Sequence, residues 1–570
     1  MRTRHFLNLF VIGTASIIFA SCSKSNTLGR LIPKEAAVVI RLDGKALSAK
    51  LSWEDIKQNP LFTEMGKDST MPAALKNVLD NPENAGIDIK TDYLFFVVKD
   101  STGGYIAFEG KVKDEAKFKA FNQQITENGA SSETDGVQFI SKSPVCVGWN
   151  KDNFVYVFDA PQVAQMDELS KRMMRDTIQV RRTSARDIGA TAKAVFALKE
   201  GNSLAKEDRF TQLLKESGDM QFWINTEELS KGSASSSALA MVNMDKFYKG
   251  YITTAAMNFD NGKILVNAKT YASEEMLKLF KKYSGGKINE DMIKRMPGKD
   301  VVAMMALNFK PEAIRELIQM TGLDGLINIG IQKIGFTIDD FIKANKGDVF
   351  FALSDLVMKT DTMVYKFKDQ QSNTSILQKP NFNFIFSASI ADKDAFNKLI
   401  NAGKSIGGGF PKDSSNSLVS YNSNGTYFAL GNNQQIVDQY LANANSNFDF
   451  INKITGEPFG GYVNIQSLLK SFQSVAGKDT AYKVAYDASA RMWDNVFWKG
   501  GNYSDGGIQQ TVEINLIDKS TNSLKQLNQY LATLSVVYKE HRQKQKAEEA
   551  AFENFEMQDT ATLPMPAKIK

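Results

Sequence analysis

Apolar and polar positions alternate in short runs along most of the chain, and these runs predict strands. Residues 155–158 and 426–430 are aromatic and β-branched, which is typical of half-buried strands. Near the C-terminus, apolar side chains recur at helical spacing: Leu524, Leu527, Leu531 and Leu534. Strands that alternate with single helices and hairpins predict an α+β fold with mostly antiparallel sheets.

The strand and helix pattern occurs twice in the same order. Five segments of the first half pair with five of the second: 33–51 with 297–317, 86–97 with 335–352, 105–118 with 384–396, 223–229 with 462–468, and 259–282 with 504–538. The preserved order predicts an internal duplication, in which Asn225 corresponds to Asn464 and Phe118 to Phe396.

Short polar signals mark where elements begin and turn. Asp114 and Asp392 stand just before helical segments, so we expect each carboxylate to cap a helix. Residues 259–262 and 504–507 carry Asn-Gly and Asp-Gly signals between apolar runs and predict tight hairpins. Polar residues over 359–379 predict a long surface loop.

The first 22 residues predict a lipoprotein signal. Arg2 and Arg4 precede an apolar run over residues 6–20, which is shorter than a membrane-spanning helix requires, and small residues lead into Cys22. A short buried helix is the alternative. Lipidation of Cys22 would anchor the protein to a membrane. By resemblance to lipoprotein sorting, Ser23 favours the outer membrane, and the lack of an acidic run favours its periplasmic side.

These signals divide the chain into five predicted segments. A glycine-containing linker near 283–288 separates the halves, and the charged sequence beyond about residue 538 predicts a helix end and a disordered tail. The segments are a signal peptide over 1–21, a tether over 22–32, α+β halves over 33–283 and 287–540, and a polar tail over 541–570.

Composition excludes several kinds of site. Of two histidines, His5 lies in the predicted signal and His541 in the charged tail, so no Ser-His-Asp triad and no multi-histidine metal site is expected. Cys146 is the remaining thiol, and we expect it to be a buried strand residue. Removal of Arg2 and Arg4 leaves 67 of 69 basic residues against 64 acidic ones. That balance and the lack of a basic patch argue against nucleic-acid binding.

Two motifs suggest ligand chemistry. Gly403-Lys404-Ser405 lacks the upstream glycine and the preceding strand of a phosphate-binding loop, so it is set aside. Trp493 and Trp498 could stack on a sugar, and Asp494 and Asn495 could bind its hydroxyls. Core packing of both indoles is the alternative. No catalytic, cofactor or metal residue is predicted.

The signal, the opening Ile32-Pro33-Lys34-Glu35-Ala36-Ala37-Val38-Val39 and the repeated strand and helix units resemble a family of uncharacterised Bacteroidales-type lipoproteins, domain of unknown function 4836. The resemblance implies an envelope location and supplies no activity.

Three classes of function stay open. The first is a non-enzymatic envelope protein that binds or scaffolds a protein or peptide partner. The second is a glycan-binding or glycan-cleaving envelope protein, and the third is another kind of enzyme. The sequence does not determine the oligomeric state.

Overall fold

Residues 28–66, 73–100, 103–160, 186–231, 248–298, 300–366, 372–406, 419–442, 445–476, 480–535 and 537 are described by the structure, which is a computed structural model. The predicted signal, Cys22 and the predicted tail with His541 lie outside the described residues. The chain forms two units, one from residues 1–42, 85–217 and 221–232, and the other from 43–84, 218–220 and 233–570. Contacts between residues define these two units, whereas a repeated sequence pattern defines the two predicted halves. The predicted segment boundaries therefore stay predictions.

The strands are β1 (Ala36–Asp43), β2 (Asp92–Val98), β3 (Tyr105–Lys111), β4 (Ala130–Thr134), β5 (Val137–Lys142), β6 (Val145–Trp149), β7 (Asn153–Asp159), β8 (Met220–Asn225), β9 (Ile252–Asp260), β10 (Lys263–Tyr271), β11 (Val301–Asn308), β12 (Asn345–Lys366), β13 (Ser372–Ile390), β14 (Ser420–Ser423), β15 (Tyr427–Gly431), β16 (Phe459–Asn464), β17 (Trp493–Ser504) and β18 (Gly507–Leu516).

The helices are α1 (Gly44–Lys50), α2 (Trp53–Lys57), α3 (Pro60–Gly66), α4 (Ala73–Asp80), α5 (Glu115–Ile125), α6 (Ile188–Phe196), α7 (Asp208–Leu213), α8 (Thr226–Ser230), α9 (Glu274–Tyr283), α10 (Glu290–Lys294), α11 (Glu312–Thr321), α12 (Asp324–Gln332), α13 (Ile338–Ala344), α14 (Lys393–Ile406), α15 (Gln434–Leu441), α16 (Ile451–Ile454), α17 (Ile465–Ala476), α18 (Thr480–Met492) and α19 (523–535).

In the first unit, neighbouring strands follow the order β4, β5, β6, β7, β3, β2, β1, β8. In the second unit, the order is β9, β10, β18, β17, β16, β11, β12, β13, β15, β14. The registers of these pairs are antiparallel throughout wherever they are defined. The predicted α+β class with mostly antiparallel sheets is therefore confirmed.

The two units share a pairing order. The run β6, β7, β3, β2, β1, β8 has the same chain order and neighbours as the run β14, β15, β13, β12, β11, β16. The hairpin of β9 and β10 likewise has a counterpart in that of β17 and β18. This order favours the duplication, which stays a prediction.

The predicted helix caps are present. The side chain of Asp114 accepts a hydrogen bond from the backbone N–H of Lys117 at 3.0 Å, and that of Asp392 accepts one from Ala395 at 2.9 Å. One residue beyond each donor, Phe118 and Phe396 are 0% and 4% exposed. Each carboxylate thus begins a helix that buries a phenylalanine in its first turns.

The predicted hairpin turns also form. Gly262 has φ +66° between β9 and β10, while Asp505 and Gly506 have φ +48° and +82° between β17 and β18. A left-handed backbone of this kind favours glycine, asparagine and aspartate. The local signals were therefore sufficient to place both turns.

The loop predicted over 359–379 is wrong. Strands β12 and β13 form a long hairpin in which pairing continues to Lys366 and Ser372. Val357, Thr360 and Thr362 supply β-branched side chains that favour an extended backbone in this arm. The many polar residues over 359–379 led to the prediction of a loop in place of these two strands.

The core face of the second unit's sheet carries Met304, Phe350, Tyr462 and Phe497, on which α10, α15 and α16 pack. The opposite face carries Met305 and Phe351, which are 49% and 39% exposed. In the first unit, Cys146 lies within β6 with no exposed surface, and burial raises the pKa of its thiol to about 11. This environment agrees with the prediction that Cys146 is a buried strand residue.

Candidate functional site

The predicted platform residues divide between the two faces of the second unit's sheet. Trp493 begins β17 directly after α18, and its ring packs edge-on against Tyr530 of α19 at 5.7 Å between centroids. The indole of Trp498 covers Gly461 of β16 and leaves no room for a Cβ there. Both rings therefore contact protein groups rather than forming one open surface.

The strand register explains this division. Trp493 lies opposite Leu516 and Asn495 lies opposite Asn515, so Asp494 is an extra residue in β17. Beyond the shift, Asn495 and Phe497 share the core face, while Trp498 lies on the opposite face. Sequence spacing alone does not reveal such a shift.

Asp494 and Asn495 each have a protein partner. The carboxylate of Asp494 pairs with the ammonium of Lys519 at 2.8 Å. The side-chain oxygen of Asn495 accepts a hydrogen bond from the Asn515 amide at 3.0 Å. Of the four predicted residues, Asn495 lines one cavity of this unit, and Trp498 lines a neighbouring one.

We call the cavity lined by Asn495 the aromatic cleft. It has a volume of about 390 Å³ and lies between the loop before α16 and strands β16 and β17. Four rings are stacked along it: Phe448 and Phe450 lie 5.1 Å apart, Phe450 and Tyr462 4.1 Å, and Tyr462 and Phe497 5.1 Å. The polar lining includes Asn447, Asp449, Lys453, Asn464 and Asn495.

The strands position the amides of this cleft. Asn464 ends β16 and lies opposite Asn495 of β17, so both side chains lie on the same face as Tyr462 and Phe497. The oxygen of Asn464 also accepts from the backbone N–H of Ser467 at 2.9 Å and thereby caps α17. A structural cap therefore fixes one wall of the cleft.

A second cavity lies beside the first, and we call it the lysine cleft. Its volume is about 450 Å³, and Lys263, Lys453, Lys499 and Glu513 are its charged lining residues. It shares Lys453 and Phe497 with the aromatic cleft. The Lys453 ammonium lies 4.5 Å from the Phe497 ring centroid, close enough for a cation–π interaction.

Charge and burial set two pKa values here. Partial burial raises the pKa of Glu513, but the Asn515 amide, Lys263 and Lys453 outweigh it and hold that pKa below its usual value. The two ammonium groups lie 3.4 Å and 3.6 Å from the carboxylate. Burial, aided by the charge of Asp494, raises the pKa of Tyr462 to about 12. Both groups therefore keep fixed protonation states at neutral pH.

This arrangement suits binding. Ring surfaces can contact apolar parts of a ligand, and amides can exchange hydrogen bonds with its polar groups. Among the described residues, no group of three His, Cys, Asp or Glu is placed to hold a metal ion. In the same part of the chain, no helix combines the length and apolarity needed to cross a bilayer.

Sequence reasoning missed Phe448, Phe450 and Lys453. Phe448, Asp449 and Phe450 alternate aromatic and acidic residues in a loop, which is the one local signal for this cleft. Tyr462 was noticed as a member of a repeated segment, with no role in binding. The cleft depends on strand pairing between distant segments, which the local pattern does not specify.

The fold is α+β, and its second unit carries two clefts lined by side chains. Residues 29–381, more than half of the chain, match the model of a domain of unknown function, DUF4836. The chain belongs to this family, which confirms the resemblance to domain of unknown function 4836, while the Bacteroidales-type lipoprotein part of the resemblance stays a prediction. Val301 of the aromatic cleft and Lys263 of the lysine cleft lie within the matched range, and the other lining residues of both clefts lie beyond its end.

Other comparisons add little. No curated protein matches the chain. Three crystal forms of TP0453 match at 10%, 11% and 11% identity for forms I, IV and III, and they cover 42%, 45% and 43% of this chain and 76%, 84% and 80% of that one. Their TM-scores of 0.21, 0.22 and 0.23 carry no inference about fold or function.

Proposed function

We propose that this protein is a lipid-anchored, non-enzymatic binding protein of the bacterial cell envelope, and that its ligand occupies the aromatic cleft. The observation that carries the proposal is the cleft itself, in which four stacked rings meet the amides of Asn447, Asn464 and Asn495. A protein or peptide partner and a glycan are the two ligand classes that this lining could accept.

The proposed anchor is Cys22. A basic start, an apolar run over residues 6–20 and small residues before the cysteine support lipidation of its thiol. The residues after Cys22 support an outer-membrane lipoprotein that faces the periplasm. A tether over 22–32 would then connect the lipid to the first strand.

Binding is favoured over glycan cleavage by the carboxylates of the clefts. Glycosidases place two carboxylates on either side of the scissile bond. Among the described lining residues, the aromatic cleft contains Asp449, and the lysine cleft contains Glu513, which is held by two lysines. Neither cleft presents a pair on opposite walls.

The anchor is tested by Cys22→Ser. We expect the variant to leave the membrane fraction after a high-salt wash, because the proposal assigns anchoring to that one thiol. The wild-type chain, fractionated in parallel, is the control. Continued sedimentation of the variant with membranes would contradict the assignment.

The binding role is tested on the mature chain without its lipid. Neutral and acidic tetrasaccharides and pentapeptides are titrated by calorimetry, and each is recovered for mass spectrometry. We expect at least one to bind and to be recovered unchanged, with binding lost in Phe448→Ala and kept in Phe351→Ala. Phe351 is a matched control, since it is an exposed aromatic that lines neither cleft. Failure of the whole panel to bind, or cleavage of a bound probe, would contradict the proposal.

A further inference from the structure

The two clefts are adjacent and differ in charge. Lys453 and Phe497 line both, so a ligand of two or three linked units can contact the aromatic lining and the lysine cleft together. The aromatic cleft has one lysine and one aspartate among its lining residues, whereas the lysine cleft has three lysines and one glutamate. The second cleft therefore carries a surplus of two positive charges.

Lys499 differs from the other two lysines of the lysine cleft. Lys263 and Lys453 share Glu513, but no carboxylate among the described residues pairs with Lys499. Lys499 lies two residues beyond Phe497 in β17, so strand alternation places both side chains on the core face. An ammonium in a cleft beside two others attracts an anionic group.

The strands exclude recognition through main-chain pairing. β16 is paired with β11 and β17, and β17 is paired with β16 and β18, so both strands under the clefts are central in the sheet. An extended peptide that binds by adding a strand needs a free edge. Recognition here must come from side chains.

Those side chains match a sugar ring. Amide groups can donate hydrogen bonds to sugar hydroxyls and accept hydrogen bonds from them, a carboxylate can accept from two adjacent hydroxyls, and aromatic carbons contact the apolar C–H surface of the ring. Asn447, Asn464, Asn495 and Asp449 supply the polar groups, and Phe448 and Phe450 supply partly exposed rings, stacked over the buried Tyr462 and Phe497.

We propose that the two clefts together bind an anionic saccharide, with a sugar ring in the aromatic cleft and the acid group beside Lys499 in the lysine cleft. This inference rests on the proposed function of the aromatic cleft. The acid group is a carboxylate, a sulfate or a phosphate on the sugar, since all three present oxygen acceptors to an ammonium.

The test is calorimetric titration of the unlipidated mature chain with three probes of equal length. They are a hyaluronan tetrasaccharide with carboxylates, a chondroitin sulfate tetrasaccharide with added sulfates, and the neutral, fully N-acetylated chitotetraose. Phosphorylated glucose is a fourth probe. We expect the acidic tetrasaccharides to bind more tightly than the neutral one, and their affinity to fall as salt is raised. Comparison of the acidic probes identifies the preferred acid group.

Two substitutions locate the acid group. We expect Lys499→Gln to weaken the acidic probes about tenfold and to leave chitotetraose unchanged, because the variant removes one charge-assisted contact. Lys499→Arg should retain binding within about twofold. Lys483→Gln is the matched control, since Lys483 lies on α18, pairs with Asp487 and lines neither cleft. Equal unfolding midpoints show that the variants fold.

Each failure has a distinct meaning. If chitotetraose binds as tightly as the acidic probes and binding is insensitive to salt and to Lys499→Gln, the anionic assignment is overturned while the proposed binding role stands. If only pentapeptides bind and Phe448→Ala abolishes that binding, the saccharide assignment is overturned. If no probe binds, both proposals are contradicted.

Discussion

Trp223 in the first unit and Tyr462 in the second stand at the same place in the repeated pattern, yet one is sealed and the other lines a cleft. Each lies two residues before an asparagine that ends its strand and caps the next helix. The side chain of Asn225 accepts from the Glu228 N–H at 3.2 Å, and that of Asn464 accepts from Ser467 at 2.9 Å. The strand end is thus built in the same way twice.

The difference lies in what covers the ring. Phe210 of α7 packs edge-on against Trp223 at 5.7 Å, and the Arg209 guanidinium lies 5.9 Å from its centroid, so that Trp223 is 1% exposed. Over Tyr462, Phe450 is stacked at 4.1 Å and leaves a cavity beside it. The same strand end and helix cap can therefore stand beside a sealed core or beside an open cleft, according to the segment that precedes the strand.

The largest expected effect is on stability. We expect Trp223→Ala to lower the free energy of unfolding by about 3 to 5 kcal/mol, because it empties a sealed site. Phe448→Ala at the open cleft should cost only about 1 to 2 kcal/mol, because the ring is already half-exposed. Denaturant unfolding of both variants measures the contrast. Equal losses would show that the two sites are packed alike.

Two strand carboxylates sharpen the contrast between the units. In the first unit, burial raises the pKa of Glu109 to about 7, and its Oε2 has no hydrogen-bond partner among the described residues. The Glu109 carboxyl group ionises near pH 4.5 in the unfolded chain and near pH 7 in the folded chain. Its contribution to stability is therefore full below pH 4.5 and is lost as the pH rises to 7. The loss is on the order of 3 kcal/mol.

We therefore expect Glu109→Gln to gain stability relative to the wild type between pH 4.5 and 7. The opposite slope is expected from Glu513, whose pKa is lowered, since its contribution is lost as the pH falls. Unfolding curves of Glu109→Gln and Glu513→Gln at pH 4 and pH 8 measure both. A Glu109→Gln effect that does not change with pH would contradict the account of its burial.

A smaller effect is expected at the two caps. Asn225→Ala and Asn464→Ala should each cost about 1 kcal/mol of unfolding free energy, while the serine variants should lose little because serine also caps helices. Denaturant midpoints of the four variants provide the measurement. A large loss at one asparagine and none at the other would weaken the correspondence between the repeats.

The sequence predicted those features that depend on neighbours in the chain. Asp114 and Asp392 cap helices, and the turns at Gly262 and Gly506 form, because each depends on a few adjacent residues. The hairpin arm that ends at Lys366 was missed, because its residues are polar and gain their strand structure by pairing with each other.

The site was less predictable than the fold. Asn495 was anticipated, but strand alternation places Trp498, three residues further on, on the opposite face, and the register shift before Asn495 depends on the partner strand. Phe448 and Phe450 reach the cleft by stacking on rings from β16 and β17. No pattern within one segment encodes that assembly.

Hydrogen exchange tests the central claim most directly, because it reports on both sites in one experiment. The unlipidated mature chain is labelled with and without a saturating amount of the hyaluronan tetrasaccharide. The account predicts slower exchange at the backbone amides of residues 447–453 and no change over residues 207–213, which seal Trp223. Protection of residues 207–213, or no protection at the aromatic cleft when calorimetry shows binding, would contradict it.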